Sequence, residues 1–149
     1  MGGSLNMRSQ LVDTTKPEVQ AAISWLHAQC FPSDDSLDSS TGYWWLVRDG
    51  VVPIAFAVLR EVDSWENTGY MARCGVLEGY RGNGLQRRLL QVRERKARNL
   101  GMERVITTTY NNPRSANNLI KRHFLTYLPT TKWGAPDTIY WVKNLEIPE

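Results

Sequence analysis

The stretch that decides how this chain is read is Val76-Leu77-Glu78-Gly79-Tyr80-Arg81-Gly82-Asn83-Gly84-Leu85-Gln86-Arg87-Arg88-Leu89-Leu90. A largely apolar run over residues 71–77 leads into it. Leu85, Leu89, Val92 and Leu100 follow at helical spacing, so the chain reads as strand, tight loop and helix. Gly82 and Gly84 carry no Cβ to hold a ligand off the backbone, which lets the N–H groups of the helix's first turn converge on an anion, a phosphate or pyrophosphate above all. The same pattern also occurs as a plain glycine lead into a helix with no ligand.

Two better-known phosphate loops do not fit. A P-loop needs Lys and then Ser or Thr after its second glycine, where this chain has Leu85 and Gln86; a dinucleotide fingerprint begun at Gly82 needs a small residue where Arg87 stands. Around the loop the charge is local: Arg81, Arg87, Arg88, Arg93, Arg95, Lys96, Arg98 and Arg104 hold eight of the eighteen basic residues. That clustering favours a phosphate-rich ligand over a diffuse nucleic-acid surface, with a solvated basic face as the plain alternative.

The 149 residues suit one domain, large enough to bury about 68–70% of the unfolded chain's surface. An apolar share of 42%, a charged share of 22% and a net charge of +3 belong to an ordinary globular protein. Cys30 and Cys74 lack metal-ribbon spacing, so no metal site is expected, and they point to a reducing compartment, hence the cytoplasm. No secretory leader and no apolar run of membrane length is seen, and Asn6 breaks a myristoylation start. Residues 1–6 are expected to be a flexible start or expression remnant, and 7–149 a single domain.

Working outward, residues 7–12 read as a first strand. A helix opens at Pro17 with Thr15 available as its cap and Val19, Ala22, Ile23, Leu26 and Cys30 on its apolar face, leaving His27 at the surface. Residues 33–42 form a polar loop whose Asp34, Asp35 and Asp38 could draw an amine. Strands over 43–48 and 51–62 flank an Asp49-Gly50 hairpin turn; Trp44 and Trp45 face opposite sides, one toward the core and the other at a rim or under a helix, and Pro53 suits an edge or bulge. A strand over 68–77 feeds the glycine loop. Gly101 closes the following helix, and a strand over 104–110, a helix over 114–124 and strands over 125–128 and 138–145 complete an α/β chain with a mixed sheet.

The loop resembles the acetyl-CoA loop of the GNAT N-acetyltransferase superfamily: Arg or Gln, two residues, Gly, one residue, then Gly or Ala. Arg81 and Gly84 match it, Gly82 is a frequent extra glycine, and Gln86 stands where a small residue is usual. A second motif is in register: Asn112, Ser115 and Phe124 fall where relatives carry an Asn, a small residue and an aromatic, with His123 in place of the usual Gly. The resemblance covers residues 43–145 and is greatest to the short single-domain proteins of phages and prophages. It implies a GNAT-like mixed, mostly antiparallel sheet of about seven strands with helices on both faces and a splay between the fourth and fifth strands.

The resemblance further implies that Cys74, Gly75 and Val76 bond the pantetheine arm through their backbones, with the Val76 N–H as oxyanion donor. Arg81, Gly82, Asn83, Gly84, Leu85, Gln86 and Arg87 would cradle the pyrophosphate, and Asn112 would hold the cofactor. Acetyl-CoA is then the cosubstrate, without a metal, and a small-molecule or protein amine attacks it directly. Leu119 occupies the place where relatives carry a Tyr acid, which leaves Ser115 as the candidate, weighed against a capping role. The base is unassigned, with Glu61 and Glu66 nearby in sequence. Cys74 is read as a buried hydrophobe before a nucleophile. Against this enzyme stand a nucleic-acid-binding module using the Arg-rich helix, a disfavoured partner class, and a CoA-binding protein without catalysis. Membrane binding is not expected, and a homodimer is left open.

Overall fold

The computed structural model describes residues 7–145, so the expectation for residues 1–6 lies outside the described residues. The elements are β1 (Ser9–Val12), α1 (Pro17–Cys30), β2 (Tyr43–Asp49), β3 (Val52–Glu61), β4 (Thr68–Val76), α2 (Leu85–Asn99), β5 (Arg104–Thr109), α3 (Pro113–Lys121), β6 (Leu125–Tyr127) and β7 (Ile139–Asn144). Seven strands hydrogen-bond in the order β1-β2-β3-β4-β5-β7-β6. The β4–β5 ladder is parallel, whereas β1–β2, β2–β3, β5–β7 and β6–β7 are antiparallel. The chain divides into two compact units, one made of the chain up to Arg60 with Arg73–Arg93, the other of Glu61–Ala72 with the chain from Glu94 onward.

In the first unit, Asp49 pairs with Val52, so the turn's central residues are Gly50 and Val51, with Gly50 at φ 61°. The turn therefore sits one residue later than expected, and Asp49 remains in the strand. Pro53 lies opposite Arg48 where the register shifts, at a bulge that tolerates its missing N–H. Both tryptophans are buried, Trp44 at 0% exposure and Trp45 at 5%, so of the two places expected for the second one the rim is excluded. The reason is packing across the strands: Trp45 faces Ala57, whose small side chain leaves room for the indole, while Trp44 stacks on Phe56 at 6.3 Å.

Two details of α1 also differ from the sequence reading. Thr15 is not its cap: Lys16 precedes Pro17 in extended conformation without a capping side chain, and Thr15 donates its N–H and hydroxyl to Asp13 Oδ1 at 3.0 and 2.7 Å. His27 is buried at 4% exposure, between Phe31 at 5.4 Å and Phe56 at 6.2 Å. It stands one helical turn after the buried Ile23, so it belongs to the apolar stripe that its residue type seemed to exclude.

In the second unit, both helix ends close by the same device. Gly101, at φ 79°, donates to Arg98 O while Met102 donates to Ala97 O; His123, at φ 71°, donates to Ile120 O while Phe124 donates to Leu119 O. These are Schellman closures, and His123 takes the left-handed position that glycine usually fills. The last helix accordingly stops at Lys121 rather than Phe124.

Between these ends lies a buried ion cluster. Glu94, fully buried, accepts from Lys143 Nζ at 2.6 Å and from Arg122 Nη2 at 3.0 Å and Nε at 3.2 Å, with Arg98 at 3.9 Å. It joins α2, the end of α3 and β7. Glu94→Ala would leave the buried Lys143 and the half-buried Arg122 without their carboxylate and is expected to cost about 3–5 kcal/mol. The shift in urea midpoint measures this, and a loss under about 1 kcal/mol would give the cluster no more weight than a surface pair.

Candidate functional site

The glycine loop is built within the first unit. Leu77 N–H donates to Ile54 O of β3 at 2.9 Å, and a single 3₁₀ turn over Glu78–Tyr80 follows. The Tyr80 hydroxyl donates to Asp49 Oδ2 at 2.6 Å, which ties the loop to the β2–β3 turn, and Asn83 Nδ2 donates to Tyr80 O at 3.1 Å. Gly82 and Gly84 stand at φ 85° and 76°, and a Cβ built on either meets nothing within 4 Å. The loop thus has the left-handed backbone that only glycine adopts cheaply, with open space above it. Leu85 is buried and anchors the first turn of α2, where no acidic residue stands to repel an anion. Gln86 is half-buried and Arg87 exposed.

The end of β4 presents its backbone. Since the Leu77 N–H points to β3, the Val76 carbonyl of the same peptide points the other way, where Arg81 Nε donates to it at 3.0 Å. In an extended residue the N–H shares the side of its carbonyl, so the Val76 N–H also points away from β3. Gly75 has no room for a side chain: a Cβ there would lie 2.6 Å from Phe56 Cε1 and 2.9 Å from Cys30 Sγ. Burial pushes the thiols of Cys30 and Cys74 up, so neither is poised as a thiolate.

The second unit holds the other sequence-derived candidates. β4 and β5 pair only at Thr68↔Arg104, Gly69↔Val105 and Tyr70↔Ile106, although β4 runs on to Val76 and β5 to Thr109; this is the splay. Asn112 caps α3, its Oδ1 accepting from Ser115 N at 3.1 Å. The capping role weighed for Ser115 therefore falls to Asn112, and Ser115 is the capped residue. Leu119 is buried. Glu61 and Glu66 are exposed.

The basic run proves to be largely structural. Arg88 donates to Met7 O, Arg93 to Leu89 O and Val58 O, and Arg104 to Glu66 O and Thr68 Oγ1, while Arg98 pairs with Glu94. Two carboxylates of the polar loop are also engaged, Asp34 by Arg73 at 2.7 Å and Asp38 by the N–H and hydroxyl of Ser40. Sequence reading missed Arg73, whose neighbours come from a distant loop. It also missed Tyr80, although an aromatic beside a glycine loop is a visible anchor.

Residues 7–124 match the acetyltransferase (GNAT) family. The chain belongs to this family. Solved GNAT-like structures share its fold throughout. A NatC complex bound to Gag peptide and CoA matches with a TM-score of 0.73 and 16% identity, over 93% of this chain and 98% of that one. The protein yncA of Salmonella typhimurium, solved with its cofactor acetyl-CoA, matches at 0.72 and 17%, over 97% and 96%. The ribosomal-protein-S18-alanine N-acetyltransferase of Escherichia coli matches at 0.74 and 13%, over 96% of both chains. No curated protein matches the chain in sequence.

In this GNAT chain the environment of β4's end also sets a titration. Burial first, then the charge of Arg73, pushes the His27 pKa down from 6.5, with Asp34 pulling the other way, and the buried Nε2 has no partner among the described residues. The unfolded chain therefore takes up a proton first as pH falls through about 6.5. This contribution to stability is full above that pH and is lost below it, down to the lowered folded value. His27→Phe is expected to flatten the dependence of Tm on pH between about 7.5 and 5.5. An unchanged slope would show that folding does not alter the protonation of His27.

Proposed function

We propose that the chain is an N-acetyltransferase that moves an acetyl group from acetyl-CoA to a primary amine by direct attack in a ternary complex. The observation that carries this is the pairing, within one unit, of an open glycine loop with a strand end whose Val76 N–H points away from β3. The solved relatives bound to CoA or acetyl-CoA support the choice of cosubstrate. When bound, acetyl-CoA supplies the acetyl thioester; the residues of this chain do the rest.

Gly82, Asn83, Gly84, Leu85, Gln86 and Arg87 receive the pyrophosphate. Both glycines leave the space a Cβ would fill, and the first turn of α2 turns unsatisfied N–H groups to the anion. Arg81 adds charge while bracing the Val76 carbonyl. The backbones of Cys74, Gly75 and Val76 line the pantetheine arm, and the Val76 N–H donates to the thioester oxygen where negative charge gathers. Asn112 Oδ1 is committed to the cap, so its hold on the cofactor rests on the Nδ2 donors. Ser115 is the acid we assign to the leaving thiolate. The raised thiol of Cys74 argues against an acetyl-enzyme, which supports direct attack. Among the described residues no group of three His, Cys, Asp or Glu is placed to hold a metal ion.

We further read the chain as a short phage-type member acting in the cytoplasm, in keeping with its two free cysteines. No helix of the described residues is long and apolar enough to cross a membrane. The Arg-rich helix lends little to a nucleic-acid reading once Arg88, Arg93 and Arg98 are engaged internally.

Gly84→Val is the test of the loop. It should remain folded, at a cost of about 1–2 kcal/mol for a side chain at positive φ, yet lose at least about tenfold in acetyl-CoA affinity by calorimetry. Unchanged affinity would remove the loop from the site.

A further inference from the structure

We propose that Arg73 is the docking point for a carboxylate on the acceptor amine, and that Asp34 holds this place until the acceptor arrives. Resting on the acetyltransferase reading above, the proposal names the class of amine: one that carries an acidic group.

The placement comes first. Arg73 is the only charged residue of β4, and it lies three residues, about 10 Å along the strand, before Val76. Side chains two apart on a strand share a face, so Arg73 projects on the face of Gly75. There the missing side chain of Gly75 brings Phe56 and Cys30 against the strand. The last turn of α1 and Phe31 wall this face, and the Arg73 guanidinium lies over the Phe31 ring at 4.6 Å. A guanidinium held over a ring in this way still has N–H donors for a carboxylate, as the contact of Nη1 with Asp34 shows.

The chemistry comes next. Arg81, Arg88, Arg93 and Arg104 donate to backbone carbonyls, and Arg122 to the buried Glu94, so each has a structural duty. Arg73 instead meets one carboxylate oxygen, Asp34 Oδ2 at 2.7 Å, with both side chains about two-fifths exposed at 40% and 38%. Asp34 comes from residues 31–42, a segment without helix or strand. Exposed ion pairs add little net stability, so this one is a poor fold anchor and an easily exchanged contact. It already displays the ligand chemistry that Arg73 accepts. An acceptor carboxylate would replace Asp34 in kind, leaving the amine to reach toward Val76.

The test compares matched amines that differ only in charge, such as amino acids and short acidic peptides against their amides, on the wild type, Arg73→Gln, Arg73→Lys and Asp34→Asn. Acetyl-CoA affinity and Tm are measured on each, which separates failure of the cofactor reading from failure of this one. Wild type is expected to favour acids over amides by about 10- to 100-fold in kcat/KM, and Arg73→Gln to bring that ratio to about one. Arg73→Lys should restore part of it. Asp34→Asn should lower KM for the acids alone. Should no amine turn over, binding of the same pairs in the presence of CoA is measured by calorimetry, and the same ratios are expected there. Equal wild-type handling of acids and amides, or a preference that survives Arg73→Gln, would overturn the proposal.

Discussion

The last rung that β4 shares with β5 joins Tyr70 to Ile106, and β4 then continues to Val76. A strand that parts from its neighbour must find other partners for its backbone groups, because unsatisfied peptide groups away from water are costly. Side chains take part of that duty. Thr107 Oγ1 donates to Met71 O at 2.7 Å, and Arg81 Nε donates to Val76 O at 3.0 Å. Both supply donors to carbonyls, whereas an N–H such as that of Val76 calls for an acceptor. A thioester and a pantetheine amide are acceptors, so the requirement created by the splay is one that the proposed cosubstrate meets.

Charge is arranged in each unit in a different way. Deep in the second unit, Glu94 is surrounded by Lys143 and Arg122, a cluster whose value is fixing α2, α3 and β7 in one register rather than binding anything. In the first unit, Arg73 and Asp34 meet near solvent, over an aromatic ring, where exchange is cheap. Burial separates the two cases: the same residue types are scaffold when dry and exchangeable when wet.

Much of this was legible in the sequence because it is local. Gly82 and Gly84 announced a positive-φ loop, Pro17 a helix start, and Pro53 a bulge, each through a backbone preference that needs no tertiary partner. What escaped depends on contacts across the chain. His27 was expected off the apolar face although helical arithmetic places it below Ile23, and the Phe31 and Phe56 rings explain its burial. Trp44 and Trp45 are both covered because Phe56 and Ala57 receive them from the next strand. The arginine run suggested a ligand field, yet Arg88, Arg93 and Arg104 serve carbonyls 81, 35 and 38 residues away, separations invisible to a linear reading, while Arg98 pairs with Glu94 one helical turn back. Within the candidate site the loop was readable, while Arg73's partner and the capping role of Asn112 required the fold.

The account stands most directly on whether amine and acetyl-CoA react on this chain. Release of free CoA thiol, followed with acetyl-CoA and a panel of primary amines, is expected to depend on the amine and to be accompanied by the acetylated amine in equal amount. Saturable binding of acetyl-CoA with no amine-dependent thiol release across acidic, neutral and basic amines would contradict it.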